Sequence, residues 1–350
     1  MNNKKYAAYA VIFLVLALLV YLQFRTWQNF DWVTFRQARP RKWMHILHGV
    51  GLIYLAYIVR AIRWKIFLRP VRPQASSVSL VSPTIIGFTG LALLGRPGEL
   101  IRPYLIARRQ NLSVSSQLAV WAVERIFDLG AFTMLLVSAI FLSAGPRTLP
   151  FYDRFRIGGF LLIALVAAIG FGAAAVHWKG EDIADWVERR FGHLAANLGQ
   201  KIATRIREFR SGLNTIHNPL SLVILILLSL LMWFMIIMAY QEVAHSYGVA
   251  ILNIRRSQVL VLMGASMIGS MVQLPGIGGG SQLATIATLH RIFDVPPELA
   301  ASCGIMLWLV TFVAVVPVGL FLSHHERLSL RKLSEETAQA EQATVVEKPT

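Results

Sequence analysis

Long uncharged runs alternate along the chain with shorter charged ones. The apolar runs cover Tyr6 to Phe24, Trp43 to Val59, Pro73 to Gly95, Leu129 to Pro146, Ile157 to Trp178, Ser211 to Gln241, Ser257 to His290 and Leu299 to Ser323. Most approach or exceed the roughly 20 residues that a helix needs to cross about 30 Å of hydrocarbon. Lipid offers backbone amides no partners, and the chain lacks ten-residue alternating segments, so these runs read as helices and not as barrel strands. The pattern predicts an all-α polytopic membrane protein with about six transmembrane helices. Two further segments are expected to enter the membrane and return to the same face.

Those two segments are marked by helix breakers. Pro73 to Gly95 carries Ser76, Ser77, Ser79, Ser82, Pro83, Gly87, Gly90 and Gly95, so its helical propensity is poor and a break within it costs little. Ser257 to His290 is too long for one crossing, and its middle reads Gln273-Leu-Pro-Gly-Ile-Gly-Gly-Gly-Ser281. This predicts two half-helices meeting at an unwound turn inside the bilayer. Unwound backbone at that depth is tolerated where protein buries it or water lines it. One break early and one late, entering from opposite faces, is the arrangement an inverted repeat produces, with halves of about 6–178 and 213–323. Between them, 179–212 is charged and amphipathic, with Ile183, Trp186, Val187 and Phe191 at helical spacing, and reads as a cytoplasmic surface helix or helix pair. The membrane domain is expected to run over 1–333. The tail, 334–350, is polar and reads as disordered and cytoplasmic.

Composition agrees: 55% of the 350 residues are hydrophobic and 15% charged. The net charge of +16 would point to nucleic acid in a soluble chain. Here cytoplasmic loops and anionic headgroups account for it, and no nucleic-acid partner is expected. Placing both termini in the cytoplasm puts roughly two thirds of the Lys and Arg on that side, including the Arg60 to Arg72 and Arg96 to Arg109 groups. Phe30, Trp32 and Phe35 then belong to a short amphipathic helix on the outer headgroups. Met1 to Lys5 and the run after it read as a retained first helix, since no Ala-x-Ala-like site bounds that run. Cys303 is the lone cysteine, which excludes an intrachain disulfide and a cysteine-based metal site.

Chemistry concentrates at the breaks. Gly95-Arg-Pro-Gly-Glu-Leu-Ile-Arg-Pro-Tyr104 is followed by Trp121-Ala-Val-Glu-Arg-Ile-Phe-Asp128. Glu124 and Asp128 share a helix face, and Arg125 can pair with Asp128. Charges inside a membrane are costly enough that these groups must face protein or water. They form either a structural ion cluster or a polar cavity. In the cavity reading, Arg96, Arg102 and Arg125 attract a phosphate-bearing headgroup while Glu99, Glu124 and Asp128 pair with them or take protons. At the second break, Gly276 to Gly280, including Gly278 and preceded by Pro275, exposes amides. A half-helix starting near Ser281 aims its positive end at an anion, with Gln273, Ser281 and Gln282 as neutral donors. The bland alternative is a turn built for close packing. Glu242 reads as interfacial. His45 and His48 have no carboxylate near in sequence, and His324 and His325 have Glu326 alone beside them, so no metal is expected. Trp43, Trp64, Trp178 and Trp186 read as interfacial belt anchors. No ATP-binding motif or other cofactor signature is visible.

Taken together, Arg60-Ala-Ile-Arg-Trp64, Gly95-Arg-Pro-Gly-Glu-Leu-Ile-Arg102, Glu124-Arg-Ile-Phe-Asp128 and Pro275-Gly-Ile-Gly278 resemble the flippase-like transmembrane domain of lysylphosphatidylglycerol synthase, over roughly 6–323. The resemblance implies an inner-membrane protein that moves a lipid with a modified headgroup between leaflets. It also implies that Glu99, Arg102, Glu124, Arg125 and Asp128 line the lipid path. Two positions depart from the family pattern: Ser281-Gln282 stand where a Glu is common, and Trp308 lies in the last helix where an Arg is common. No aminoacyl-transfer domain is recognisable, so synthase activity is not expected. Three functions follow as expectations: a lipid translocase binding anionic or modified headgroups, an intramembrane enzyme on polyprenyl or glycolipid phosphates with Glu124 or Asp128 as general base, and an accessory subunit of envelope synthesis. Envelope-synthesis proteins or a second copy of the chain are the expected protein partners.

Overall fold

A computed structural model describes residues 30–142, 152–213, 218–270, 273–274 and 278–326, with single positions at 328, 333, 335 and 336. The expected first helix over Tyr6 to Phe24, the turn residues Pro275 and Gly276, and nearly all of the tail lie outside the described residues. The helices are α1 (Trp32–Gln37), α2 (Trp43–Leu68), α3 (Ser77–Leu94), α4 (Ile101–Gln110), α5 (Val114–Leu142), α6 (Tyr152–Leu213), α7 (Pro219–His245), α8 (Arg256–Gly269), α9 (Gly280–Arg291), α10 (Pro297–Trp308) and α11 (Val316–His325). Two-residue strands Gln273–Leu274 and Gly278–Gly279 pair antiparallel between α8 and α9. The fold is all-α, and six helical stretches among the described residues are long and apolar enough to cross a membrane.

The local signals are ordinary ones. Asp31 caps α1 through the amides of Val33 and Thr34, and these bonds with the Thr34 hydroxyl hold its carboxyl below the usual range. Asn218 caps α7 with Pro219 at its first turn, where a missing N–H is harmless. The rings of Phe30, Trp32 and Phe35 cluster with centroids 5.0 to 6.1 Å apart, so the short aromatic helix read from the sequence is present. The core packs α7 against α2 and α5, with α8 and α10 closing it around Ile53, Tyr57, Phe132, Trp233, Ile237, Leu262 and Leu307.

The first break differs from the expectation. α3 runs unbroken through Pro83, and the chain turns after it, at Gly95 and the 3-10 turn Arg96–Leu100. Proline at 83 deprives the Ser79 carbonyl of its helical donor. Arg109 Nη1 supplies the replacement at 2.7 Å, from α4 folded back against α3. The hairpin is tight because a Cβ at Gly87 would lie 2.4 Å from the Arg102 Cβ. Glycine there lets α4 approach and sets the place of Arg102.

At the second break two separate helices are present, as expected of the half-helices. α8 ends at Gly269 and α9 starts at Gly280, one residue before Ser281, and the two helices pack against each other. A Cβ at Gly269 would meet the Gly280 carbonyl oxygen at 2.2 Å, so close packing is one role of these glycines. The tips of the two hairpins touch: Arg96 Nη2 donates to the Ser270 carbonyl at 3.3 Å.

The charged middle segment is continuous with the preceding span within α6, and it doubles back. Arg207 and Arg210 pair with Glu181 at 3.3 and 2.8 Å, and Arg207 also pairs with Asp185 and Glu188. Residues 26 apart in a straight helix would be about 40 Å apart. The segment is therefore a helix pair.

Near its end the chain relaxes once more. Between α10 and α11, Leu309–Val313 forms a π turn, and Pro317 opens α11. Neighbouring helices reach the loosened backbone: Tyr54 Oη donates to the Ala314 carbonyl at 2.7 Å and Thr89 Oγ1 to the Val315 carbonyl at 3.3 Å.

Candidate functional site

Three helices bring six ionisable side chains together, and a fourth adds a hydroxyl. α5 contributes Glu124, Arg125 and Asp128, with Asp128 midway along its 29 residues. α2 contributes Arg60 and Arg63, which lie one turn apart on the same face. α4 contributes Arg102, and α7 adds the hydroxyl of Ser229. Arg63 is the hub and is wholly buried: Nη1 donates to Asp128 at 2.6 Å and Ser229 at 2.8 Å, and Nη2 donates to Glu124 at 2.5 Å. Arg102 binds Glu124 through both Nη atoms. Arg60 makes one hydrogen bond, to Asp128 at 3.2 Å. Arg125 Nη2 sits between the two acids, 3.4 Å from Glu124 and 3.1 Å from Asp128.

Aromatic faces complete the setting. The Arg102 guanidinium stacks 4.4 Å from the Trp64 ring, and both Arg60 and Arg102 lie over Phe88. Trp64 is fully buried and donates to Gln117 at 3.0 Å, which corrects its reading as a belt anchor. Trp43, Trp178 and Trp186 are exposed.

Four guanidinium groups thus face two buried carboxylates; three of the arginines are buried, while Arg125 is partly exposed and has Glu99 facing it, so the buried part carries an excess of one positive charge. The two acids cannot neutralise it, although together they accept from all four arginines. Two donors are left over: Arg63 Nε and Arg125 Nε are buried without an acceptor among the described residues. A buried excess of charge and donors calls for an anion.

The cluster opens on a cavity of about 250 Å³. Arg60, Arg125 and Phe88 form one wall, and Ser266, Ser270, Ser281 and Thr311 line it with Tyr57, Trp233, Tyr240 and Phe312. The cavity therefore joins the first charged cluster to the second hairpin and to the π turn. A smaller void of about 20 Å³ adjoins it beside Glu99, Arg102 and Arg125. Another, also about 20 Å³, lies between Ser281, Gln282 and Trp308.

The chain matches the family model described as the lysylphosphatidylglycerol synthase TM region over residues 7–319. It belongs to this family. Two proteins called UPF0104 membrane protein, from Methanothermobacter thermautotrophicus, are similar to this member of the synthase TM-region family. One is 25% identical over 322 residues, 89% of the chain and 92% of the relative. The other is 22% identical over 302 residues, covering 81% and 85%. The glycosyltransferase AglD of Haloferax volcanii is 27% identical over 156 residues, which are 44% of the chain and 22% of that protein. No solved structure matches.

Within this family member the residues singled out from sequence divide clearly. Arg102, Glu124, Arg125 and Asp128 form the buried cluster, and Glu99 faces Arg125 from the adjoining void. Ser281 lines the main cavity, and Gln282 the void beside it. Arg96 is exposed and bridges the hairpin tips instead of joining the cluster. Gln273 and Gly278 lie in the short strand pair, while Pro275 and Gly276 fall outside the described residues. Ser281, Gln282 and Trp308 are neighbours around one void. Arg60 and Arg63 escaped the site reading, having been counted with loop cations. Their signal was available in the spacing Arg-x-x-Arg-Trp, which puts two cations and a ring on one helical face. His45 Nδ1 lies 2.6 Å from Glu242, a carboxylate distant in sequence. No group of three potential metal ligands occurs among the described residues.

Proposed function

We propose that the protein binds the phosphate-bearing headgroup of a membrane lipid in the cavity and carries it between leaflets while the acyl chains stay in the bilayer. The observation that supports this is the excess of buried guanidinium charge, opening on a cavity within a bundle of membrane-length helices. Arginine forks match phosphate oxygens in one plane, and burial strengthens the attraction. Arg60 and Arg125 are the cavity-lining arginines and take the phosphate. Arg63 and Arg102, each engaged with Glu124, hold the acids in place.

The hairpin tips meet within the bilayer in this reading, and each hairpin returns to the face it entered from. Both termini are cytoplasmic, and the protein resides in the inner membrane of its cell. The acids are taken up by guanidinium donors, which leaves them poorly placed to abstract a proton and favours transport over catalysis. With no nucleotide motif in the sequence, movement runs down the lipid gradient or is coupled to protons through the carboxylates.

The test is reconstitution into liposomes with fluorescent phospholipids and dithionite quenching of the outer leaflet. The expected result is headgroup movement above that of empty vesicles, lost in Arg60→Gln. Movement equal to empty vesicles across anionic and zwitterionic lipids would refute the proposal.

A further inference from the structure

We infer that the headgroup this site takes is a phosphate ester of a neutral, hydroxyl-bearing group, and that a cationic headgroup is discriminated against. The inference rests on the phosphate reading above and concerns what is attached to the phosphate.

The cavity wall is rich in donors and poor in charged acceptors. Among the described residues its ionisable side chains are Arg60 and Arg125, with Tyr57 and Tyr240 as phenols, and no carboxylate lines it. Two of its walls carry a buried N–H without an acceptor in the described protein, Arg125 Nε and Trp233 Nε1. Away from the arginines the polar lining is hydroxyl: Ser266, Ser270, Ser281 and Thr311, with Tyr240 against Ser266 and Thr311. Ser270 and Thr311 already spend their protons on the Met267 and Leu307 carbonyls, so their oxygens remain as acceptors.

An ammonium has three donors and no acceptor. In this cavity it would meet two guanidinium groups, neutral hydroxyl oxygens and aromatic faces; cation–π contact offsets part of its cost, but without a carboxylate its charge is repelled by the guanidinium groups and its desolvation incompletely repaid. A sugar or polyol hydroxyl both donates and accepts, and aromatic faces such as Tyr57, Trp233 and Phe312 suit its C–H surface. A carboxylate outside the main cluster, Glu99, is close by. It lies in the adjoining void of about 20 Å³, facing Arg125, where there is room for a water but not for an aminoacyl arm. Discrimination here comes from a missing partner for the wrong ligand as much as from contacts to the right one.

The experiment titrates the purified full-length chain in mild detergent with dioctanoyl phosphatidylglycerol, dioctanoyl phosphatidylethanolamine, dioctanoyl lysylphosphatidylglycerol and glycerol 1-phosphate, reading tryptophan fluorescence and thermal stabilisation. Phosphatidylglycerol is expected to bind at least about tenfold more tightly than either amine-bearing lipid. Ser281→Glu, which places an acid at the hydroxyl end, is expected to narrow or reverse that ratio. Amine lipids binding as tightly as phosphatidylglycerol would overturn the inference while leaving the phosphate reading intact. The same result with amine binding lost in Glu99→Gln would overturn it and name Glu99 as the cation's partner. Binding of glycerol 1-phosphate without binding of phosphatidylglycerol would overturn the lipid source. Absence of binding by all four probes would overturn both readings.

Discussion

Glu124 and Arg60 are five hydrogen bonds' worth of the same cluster, yet their removal should have opposite consequences. Glu124 is fully buried and accepts from Arg63, from both Nη atoms of Arg102 and, at 3.4 Å, from Arg125. Glu124→Gln removes one of two negative charges and leaves four guanidinium groups facing Asp128 alone. Breaking a buried ion pair from one side costs about 3–5 kcal/mol, because the abandoned charge stays buried. Arg60 makes a single hydrogen bond to Asp128, and it belongs to the charge in excess. Arg60→Gln loses that bond and relieves like-charge repulsion, so its net effect should stay within about 1 kcal/mol of zero. Thermal or denaturant unfolding in detergent micelles measures both, and lipid titration measures the ligand. The expected pattern is an unstable Glu124→Gln and a stable Arg60→Gln that no longer binds phosphate lipids. Adding Arg102→Gln to Glu124→Gln should recover about 1 kcal/mol or more of the loss. If Arg60→Gln unfolds as readily as Glu124→Gln, the excess charge is structural and the argument for a bound anion fails.

Three further outcomes follow from the packing. Gly87→Val should cost about 1–3 kcal/mol and weaken lipid binding, because its side chain would collide with Arg102 and push α4 away from α3; unfolding and binding measured on one preparation check this. Trp64→Phe keeps a ring under Arg102 but abandons the buried Gln117 oxygen, so a loss of about 1–3 kcal/mol is expected by denaturant titration. Glu181→Ala breaks exposed pairs to Arg207 and Arg210 and should change stability by at most about 1 kcal/mol, less still at high salt.

Several of these features were legible in the chain because their causes are local. Glu124 and Asp128 stand four apart on one helix, so their shared face follows from helical spacing alone. The run Pro275 to Gly280 cannot remain helical, and α8 and α9 are indeed separate helices folded together. Pro83 misled for an equally physical reason. Local propensity says that the helix breaks there, but the carbonyl it frees is satisfied by Arg109, thirty residues away on another helix. Trp64 looked interfacial because it lies near a helix end among basic residues, and only the fold shows α4 covering it with Arg102.

The same distinction explains why half of the arginine cluster was invisible. Arg60 and Arg63 meet their acids across separations of 61 to 68 residues. A cation near a helix end has two solutions that cost little: a watery loop with anionic headgroups, or a buried acid on a neighbouring helix. Charge asymmetry favours the first solution when residues are counted one at a time. The second is favoured when two cations three apart share a face with a tryptophan, because a loop has no need of that spacing. Moving Arg60, Arg63 and Arg102 from the loops to the interior weakens the topological charge bias and converts it into a buried surplus. That surplus is what ties the orientation problem to the chemistry: positive residues that do not serve to orient the chain in the membrane are available to hold something negative within it.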